Sequence, residues 1–390
     1  MAHIVYLIFT FLITRQFRSN LVQISGFIIL NINPYLLDFF SLARGYALSI
    51  AFMMVSLYYF IEYIKEEKNK RLTISFIAAV LATLSNFSLL NYFASLILIH
   101  QAVLYFKYRD MRTNLKKSKA VIAIVLLMVL ICYEPLRKLI KYGRFDFGGT
   151  TGIWSDTVTS EINMFLYQRV NSPVIFKIIA AIVIITVIST GIILIRKLSK
   201  KTLVFPDKTG LLIFSLLMLI LLSNTVQHYL LGSPYIAERF ALFITPLFFL
   251  LFAYFFDALA SGGKALRLIS ISSLPVVTLA MCYHLLSCLN TSYALNWNYD
   301  ASTKQMISDL KKEKELIGIK KIDLGITWWF EPSINFYRVT NHLDWLNKVK
   351  REGPKGEHDY YYISIEEQSL VPKERVIIKT YQGSASRLLK

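Results

Sequence analysis

Ten apolar blocks separated by short polar connections limit what this chain can fold into. They run His3–Thr14, Leu21–Ile32, Tyr46–Ile64, Leu72–Leu84, Leu89–Phe106, Ala120–Cys132, Val174–Ile195, Leu211–Leu231, Phe240–Leu259 and Leu268–Leu286. In hydrocarbon every backbone polar group must be satisfied within the protein, so such a series predicts a bundle of membrane-spanning helices. Several blocks are shorter than the roughly 20 residues a perpendicular helix needs. Short spans flanked by polar turns suit cores in which broken helices line a cavity. Composition agrees. The 390 residues are 55% hydrophobic and 17% charged, whereas a soluble chain carries about 25% charge. Tyr46, Tyr63, Tyr105, Tyr133, Tyr229 and Tyr283 stand at block ends, where an amphipathic ring suits the headgroup level.

The net charge of +18 does not point to nucleic acid, because most of the excess lies in short loops between blocks. Arg15 and Arg18; Lys65, Lys68, Lys70 and Arg71; Lys107, Arg109, Arg112, Lys116, Lys117 and Lys119; Arg196, Lys197, Lys200 and Lys201; and Lys264 and Arg267 occupy alternate connections. The short loops between them hold little beyond Arg44 and Arg239; the longer Glu134–Pro173 connection obeys the rule less well. The basic connections are therefore expected in the cytoplasm. Counting about ten spans then puts the N-terminus, Cys288 and everything after it outside. Met1 opens directly on an apolar block, and the residues before Arg15 make only about 21 Å of helix. Two readings stay open: a chain lacking an upstream helix, or a first span that starts outside. The three cysteines, Cys132, Cys282 and Cys288, have neither metal spacing nor a disulfide pattern.

The character changes near Asn290, which predicts a transmembrane domain over 1–288 and a soluble α/β domain over 289–390. Asp300 reads as the N-cap of a helix ending at Gly318, with Met306, Ile307, Leu310 and Ile317 as its apolar stripe. Lys321–Ile326, Tyr360–Ile365 and Arg375–Tyr381 read as strands, and Pro332–Tyr337 as a second helix. Trp328, Trp329 and Phe330 read as core aromatics or as a carbohydrate-stacking surface. The fold class expected is mainly α, a polytopic bundle with a small extracytoplasmic α/β domain.

The run Asn33-Pro-Tyr-Leu-Leu-Asp-Phe-Phe-Ser-Leu-Ala-Arg-Gly-Tyr-Ala-Leu-Ser49 carries the most information. Asp38 and Arg44 are ionisable residues in apolar surroundings, costly at membrane depth unless paired or hydrated. If Asn33 and Pro34 break the helix, Asp38 either faces a polar cavity or caps an interfacial helix, and Arg44 either meets a ligand or reaches the headgroups.

The segment from Asp38 to Ser49, followed by Tyr58-Tyr59-Phe60, resembles that of GT-C type membrane glycosyltransferases related to protein O-mannosyltransferases. Leu89-Leu-Asn-Tyr-Phe93 is similar to that family's Leu-x-His-Tyr-Phe stretch, with Asn91 in place of histidine. Glu238-Arg239-Phe-Ala-Leu-Phe-Ile-Thr-Pro246 is similar to a later helix start. The resemblance covers Leu21 to Leu259. It implies transfer of a sugar from a polyprenyl-phosphate carrier to an acceptor at the outer face, with a divalent cation, Mg or Mn, in some members. Asp38 would fall in the family's second outer loop, and the first loop with its acid would be missing. Such chemistry needs a carboxylate to accept a proton and cations to offset a departing phosphate. Asp38 is the candidate catalytic residue, with Arg44, Asn91, Glu238 and Arg239 binding substrate. Trp154 and Asp156, in the glycine-rich outer loop from Arg144, are candidates for the acceptor. His228 and His284 read as structural or interfacial. A transporter or lipid flippase, or a non-catalytic partner subunit, is the alternative, although no internal repeat is visible.

Overall fold

The computed structural model describes residues 1–142, 148–167 and 172–390, so Arg144 and Asp146 lie outside the described residues. The chain divides into two compact units, Met1–Leu289 and Asn290–Lys390.

In the first unit each apolar block is a helix. These are α1 (Ala2–Thr14), α2 (Asn20–Asn31), the short α3 (Pro34–Ser41), α4 (Gly45–Glu66), α5 (Asn69–Ser85), α6 (Leu90–Tyr108), α7 (Met111–Lys141), the short α8 (Thr159–Phe165), α9 (Pro173–Ser199), α10 (Phe205–Leu231), α11 (Ile244–Ala260) and α12 (Lys264–Cys288). Among the described residues, α4, α6 with the turn before it, α7, α9, α10 and α12 are long and apolar enough to cross a membrane. The pair α2 and α3, bent by 56°, makes a seventh candidate. The expected count of about ten is not reached on length. A helix such as α1, with 13 residues, reaches only about 20 Å against a hydrocarbon core of about 30 Å.

The bend between α2 and α3 follows from the sequence. Pro34 suits the first helical turn, where its missing N–H is not needed. The side chain of Asn33 caps α3, its Oδ1 accepting from the Leu36 N–H at 2.8 Å. Asp38 therefore lies inside α3 and does not cap it.

Contacts gather the five basic connections at one end of the unit. The Gln16 amide donates to Glu62 at 3.3 Å, and Arg71 pairs with Glu62. Lys107 pairs with Glu67, and Lys65 lies 5.4 Å from the centre of the Phe205 ring. A buried ionic clasp joins the other connections. Arg18 reaches Asp207 at 2.7 Å and Asp257 at 3.0 Å. Lys197 and the Tyr254 hydroxyl also reach Asp207, at 2.6 and 3.1 Å. Asp207 and Asp257 are both fully buried. An unpaired charge there would cost several kcal/mol, which this pairing and the backbone N–H donors of Arg18 and Ser19 offset. The connections between these basic ones, including 32–45 and 232–243, meet at the opposite end.

In the second unit, α13 (Thr303–Ile317) ends at Gly318 in the left-handed region, φ 75°. Its N-cap is Ser302, not Asp300. Asp300 instead accepts from Thr303 and from Ser333 of α14 (Glu331–Thr340), joining the two helices. The sheet has the order β1-β2-β4-β3, with β1 (Leu324–Ile326), β2 (Tyr360–Ser364), β3 (Ile377–Tyr381) and β4 (Ser386–Leu389). β1 and β2 are parallel and the other pairs antiparallel. All of β2 is buried, as expected for a central strand with an unbroken apolar run. Tyr360 and Tyr362 face a core with Met306, Leu310 and Phe330, while Tyr361 and Ile363 pack with Val371 and Leu389. Phe330 is thus core, Trp329 packs against it, and Trp328 is exposed.

Candidate functional site

The end opposite the basic connections brings α3, the start of α4, α8 and the segment before α11 together. Asp38, half-buried on α3, accepts the Tyr167 hydroxyl at 3.0 Å to both carboxylate oxygens. Tyr167, just after α8, has φ 54°, a conformation that costs a non-glycine residue about 1–3 kcal/mol and persists only when its surroundings hold it.

Arg44 is exposed and precedes α4 in extended conformation. Gly45 allows the close approach that follows: a Cβ there would lie 2.0 Å from the Ser85 carbonyl oxygen at the end of α5. Tyr46, one residue on, packs its ring edge against Phe39 of α3 at 4.9 Å. Its hydroxyl is within hydrogen-bonding reach of Arg239. Arg239 also lies over the Phe240 ring, and Glu238 is exposed with φ 50°.

Hydrogen bonds tie α8 and the turn before it to the segment after α10. The Thr157 hydroxyl donates to the Ile236 carbonyl at 2.6 Å, and the Glu238 N–H donates to Ser160 at 3.1 Å. Asn91, buried at the start of α6, accepts from Ser223 at 2.9 Å and Gln227 at 2.6 Å, pinning α10 to α6. Asn224 continues the seam by accepting the Ile236 N–H at 3.2 Å. Asp156 takes the N–H groups of Thr151 and Gly152 at 2.7 and 2.8 Å, so one of its oxygens closes the glycine-rich turn. Trp154 is about half exposed on the same turn. His228 and His284 each hydrogen-bond a backbone carbonyl through one ring nitrogen, at Ser233 and Phe165, both 2.8 Å. That bond makes the nitrogen the donor and fixes the tautomer.

Glu161, on α8, escaped the sequence reading. One of its oxygens accepts from Thr245 at 2.6 Å, and the other, Oε1, is buried with no partner among the described residues. Burial pushes its carboxyl up to about 8; the Thr245 hydrogen bond opposes this and the nearby Glu238 adds to it. Beneath it lies a cavity of about 500 Å³ bounded by α8, α9, α10, α11 and α12. Its wall is almost wholly Ile, Leu, Val, Phe and Met, with Glu161, Thr157, Thr245 and His284 as the polar points.

Among the described residues no three His, Cys, Asp or Glu side chains gather as metal ligands. Comparison of the chain with protein-family models, curated proteins and solved structures finds no match.

Proposed function

We propose that the chain is a plasma-membrane glycosyltransferase that moves a sugar from a polyprenyl-phosphate carrier to an acceptor at the outer face. The observation that carries this reading is the Asp38 carboxylate, held by Tyr167 at the end of the bundle remote from the basic connections and on the same face as Arg44 and Arg239. Asp38 accepts the proton of an acceptor hydroxyl as that oxygen bonds to the anomeric carbon. The bond from that carbon to the phosphate breaks, its electron pair leaves on the phosphate, and Arg44 and Arg239 offset the charge. The apolar cavity suits the carrier's hydrocarbon chain, and Trp154, about half exposed, is the side chain assigned to the acceptor.

Ten spans follow if α1, α5 and α11 also cross, tilted or in locally thinned lipid. The gathering of alternate connections at opposite ends supports that count, and with it an extracytoplasmic second unit.

Asp38→Asn keeps the shape of the side chain and removes the base. Loss of sugar from a polyprenyl-phosphate donor, followed in membranes at matched protein amounts, should slow by about 10²–10⁴-fold. Near-normal turnover would remove Asp38 from the reaction.

A further inference from the structure

The second unit has a cleft that the reaction proposed above does not use. It opens between Asp300, just before α13, and α14, and its wall is Asp300, Pro332, Ser333, Phe336 and Tyr337. Its volume is about 320 Å³, at the small end of the roughly 300–1,000 Å³ typical of small-molecule sites. The wall combines a carboxylate with aromatic rings. Phe336 and Tyr337 stand nearly edge to face, with centroids 5.6 Å apart and planes at 69°. Phe336 is 61% exposed, so its ring is not spent on the core of the unit.

Asp300 is the anionic point of the cleft. Each of its oxygens accepts one hydroxyl, from Thr303 and from Ser333, the pattern of an ionised carboxylate. Asp309 and Glu331, also half-buried in this unit, each have a cation, Lys379 at 2.8 Å and Arg351 at 2.9 Å. No lysine, arginine or histidine among the described residues offsets the charge of Asp300, and burial raises its carboxyl above the ordinary range against the two hydroxyl hydrogen bonds. An anion held partly out of water without a counter-charge is costly, and a cation from outside relieves that cost. The other polar groups of the wall narrow the choice. Ser333 has committed its proton to Asp300, so an anionic ligand meets repulsion and a neutral polyol finds few donors. A positive nitrogen instead meets the carboxylate and the aromatic faces, both of which attract it.

We propose that this cleft binds an organic ammonium ion, its nitrogen held by the Asp300 carboxylate and the rings of Phe336 and Tyr337. The site does not depend on the reaction proposed above. The full-length protein is reconstituted in phosphatidylglycerol nanodiscs, which carry no ammonium headgroup. It is titrated by calorimetry, at constant ionic strength, with choline, ethanolamine, glucose and neohexanol, the uncharged carbon analogue of choline. After subtraction of empty nanodiscs, the better of the two ammonium compounds should bind at least about tenfold more tightly than neohexanol. Either order of choline and ethanolamine supports the proposal and tells a methylated ammonium from a primary one. Neohexanol binding as tightly as the better ammonium, glucose binding more tightly than both, or no saturable binding of either ammonium at millimolar concentration overturns it.

Phe336→Leu, at an exposed position, should leave the melting temperature unchanged and weaken binding of the preferred ammonium by about three- to tenfold. Asp300→Asn keeps the size of the side chain and removes its charge. Affinity should then fall by at least about tenfold, and the preference for the ammonium over neohexanol should disappear. If Asp300 served only to join α13 to α14, its variant would lower the melting temperature and leave that preference intact, which overturns the site. Wild-type affinity in Phe336→Leu overturns it too. Should Asp300→Asn fail to fold, Phe336→Leu and the neohexanol comparison still decide.

Discussion

Glu161 shows how one side chain ties stability to pH. Its folded-state pKa of about 8 lies above the ordinary 4.5, so the folded chain holds this proton more tightly than the unfolded chain does. The stability gained is full below about pH 4.5 and is lost as pH rises through about 8. Thermal unfolding in detergent should therefore reach lower temperatures at pH 8.5 than at pH 5.5, and Glu161→Gln should shrink the difference. A wild-type profile that is flat over this range would show that the carboxyl is ionised in the fold. Nothing in the sequence pointed to Glu161. It sits in a polar outer loop, where an acid normally meets water, and only the folding of residues 159–165 into α8 against Thr245 buries it. Asp38 was legible because its neighbours in sequence are apolar. Asp257 carries the same signal, a lone acid inside the block Phe240–Leu259. Tyr167 was not legible, because its bond to Asp38 spans 129 residues.

At the scale of elements, every apolar block became a helix because satisfying the backbone within the segment leaves no other choice in hydrocarbon. Less was visible of the ends. The block Ala120–Cys132 extends to Met111–Lys141, since Lys and Arg are good helix formers once their charges reach water. In the second unit β4 was missed: Ser386–Leu389 is too short to show alternation and depends on pairing with both β2 and β3. Gly45 makes a test of packing against propensity. Helix propensity alone favours alanine over glycine by about 1 kcal/mol. The added Cβ, however, meets the backbone oxygen of Ser85 rather than a side chain that can swing away, and overpacking of this kind costs about 1–3 kcal/mol. Gly45→Ala should therefore lower the thermal stability of the purified protein. An unchanged or higher melting temperature would mean that α4 and α5 separate at no cost.

Across the first unit as a whole, Arg18 joins three of the basic connections through two buried carboxylates. Arg18→Ala would leave Asp207 and Asp257 buried with less compensation, at a cost of about 3–5 kcal/mol. The folded amount in membranes should fall, and adding Asp257→Asn should recover part of it; a double variant no better than the single one would show that the two charges do not interact. The same clasp has a consequence for biosynthesis. Arg18 leaves the ribosome early, and its partners lie 189 and 239 residues later. At about 5–20 residues per second, Asp257 follows it by some 10–50 s. Until Asp207 emerges the guanidinium has only lipid headgroups and water to neutralise it, and the second carboxylate of the clasp arrives only with α11. The bundle is thus a lock whose key is cut last: a chain stopped before α11 should stay open to quality-control proteolysis, and one that reaches Asp257 should close.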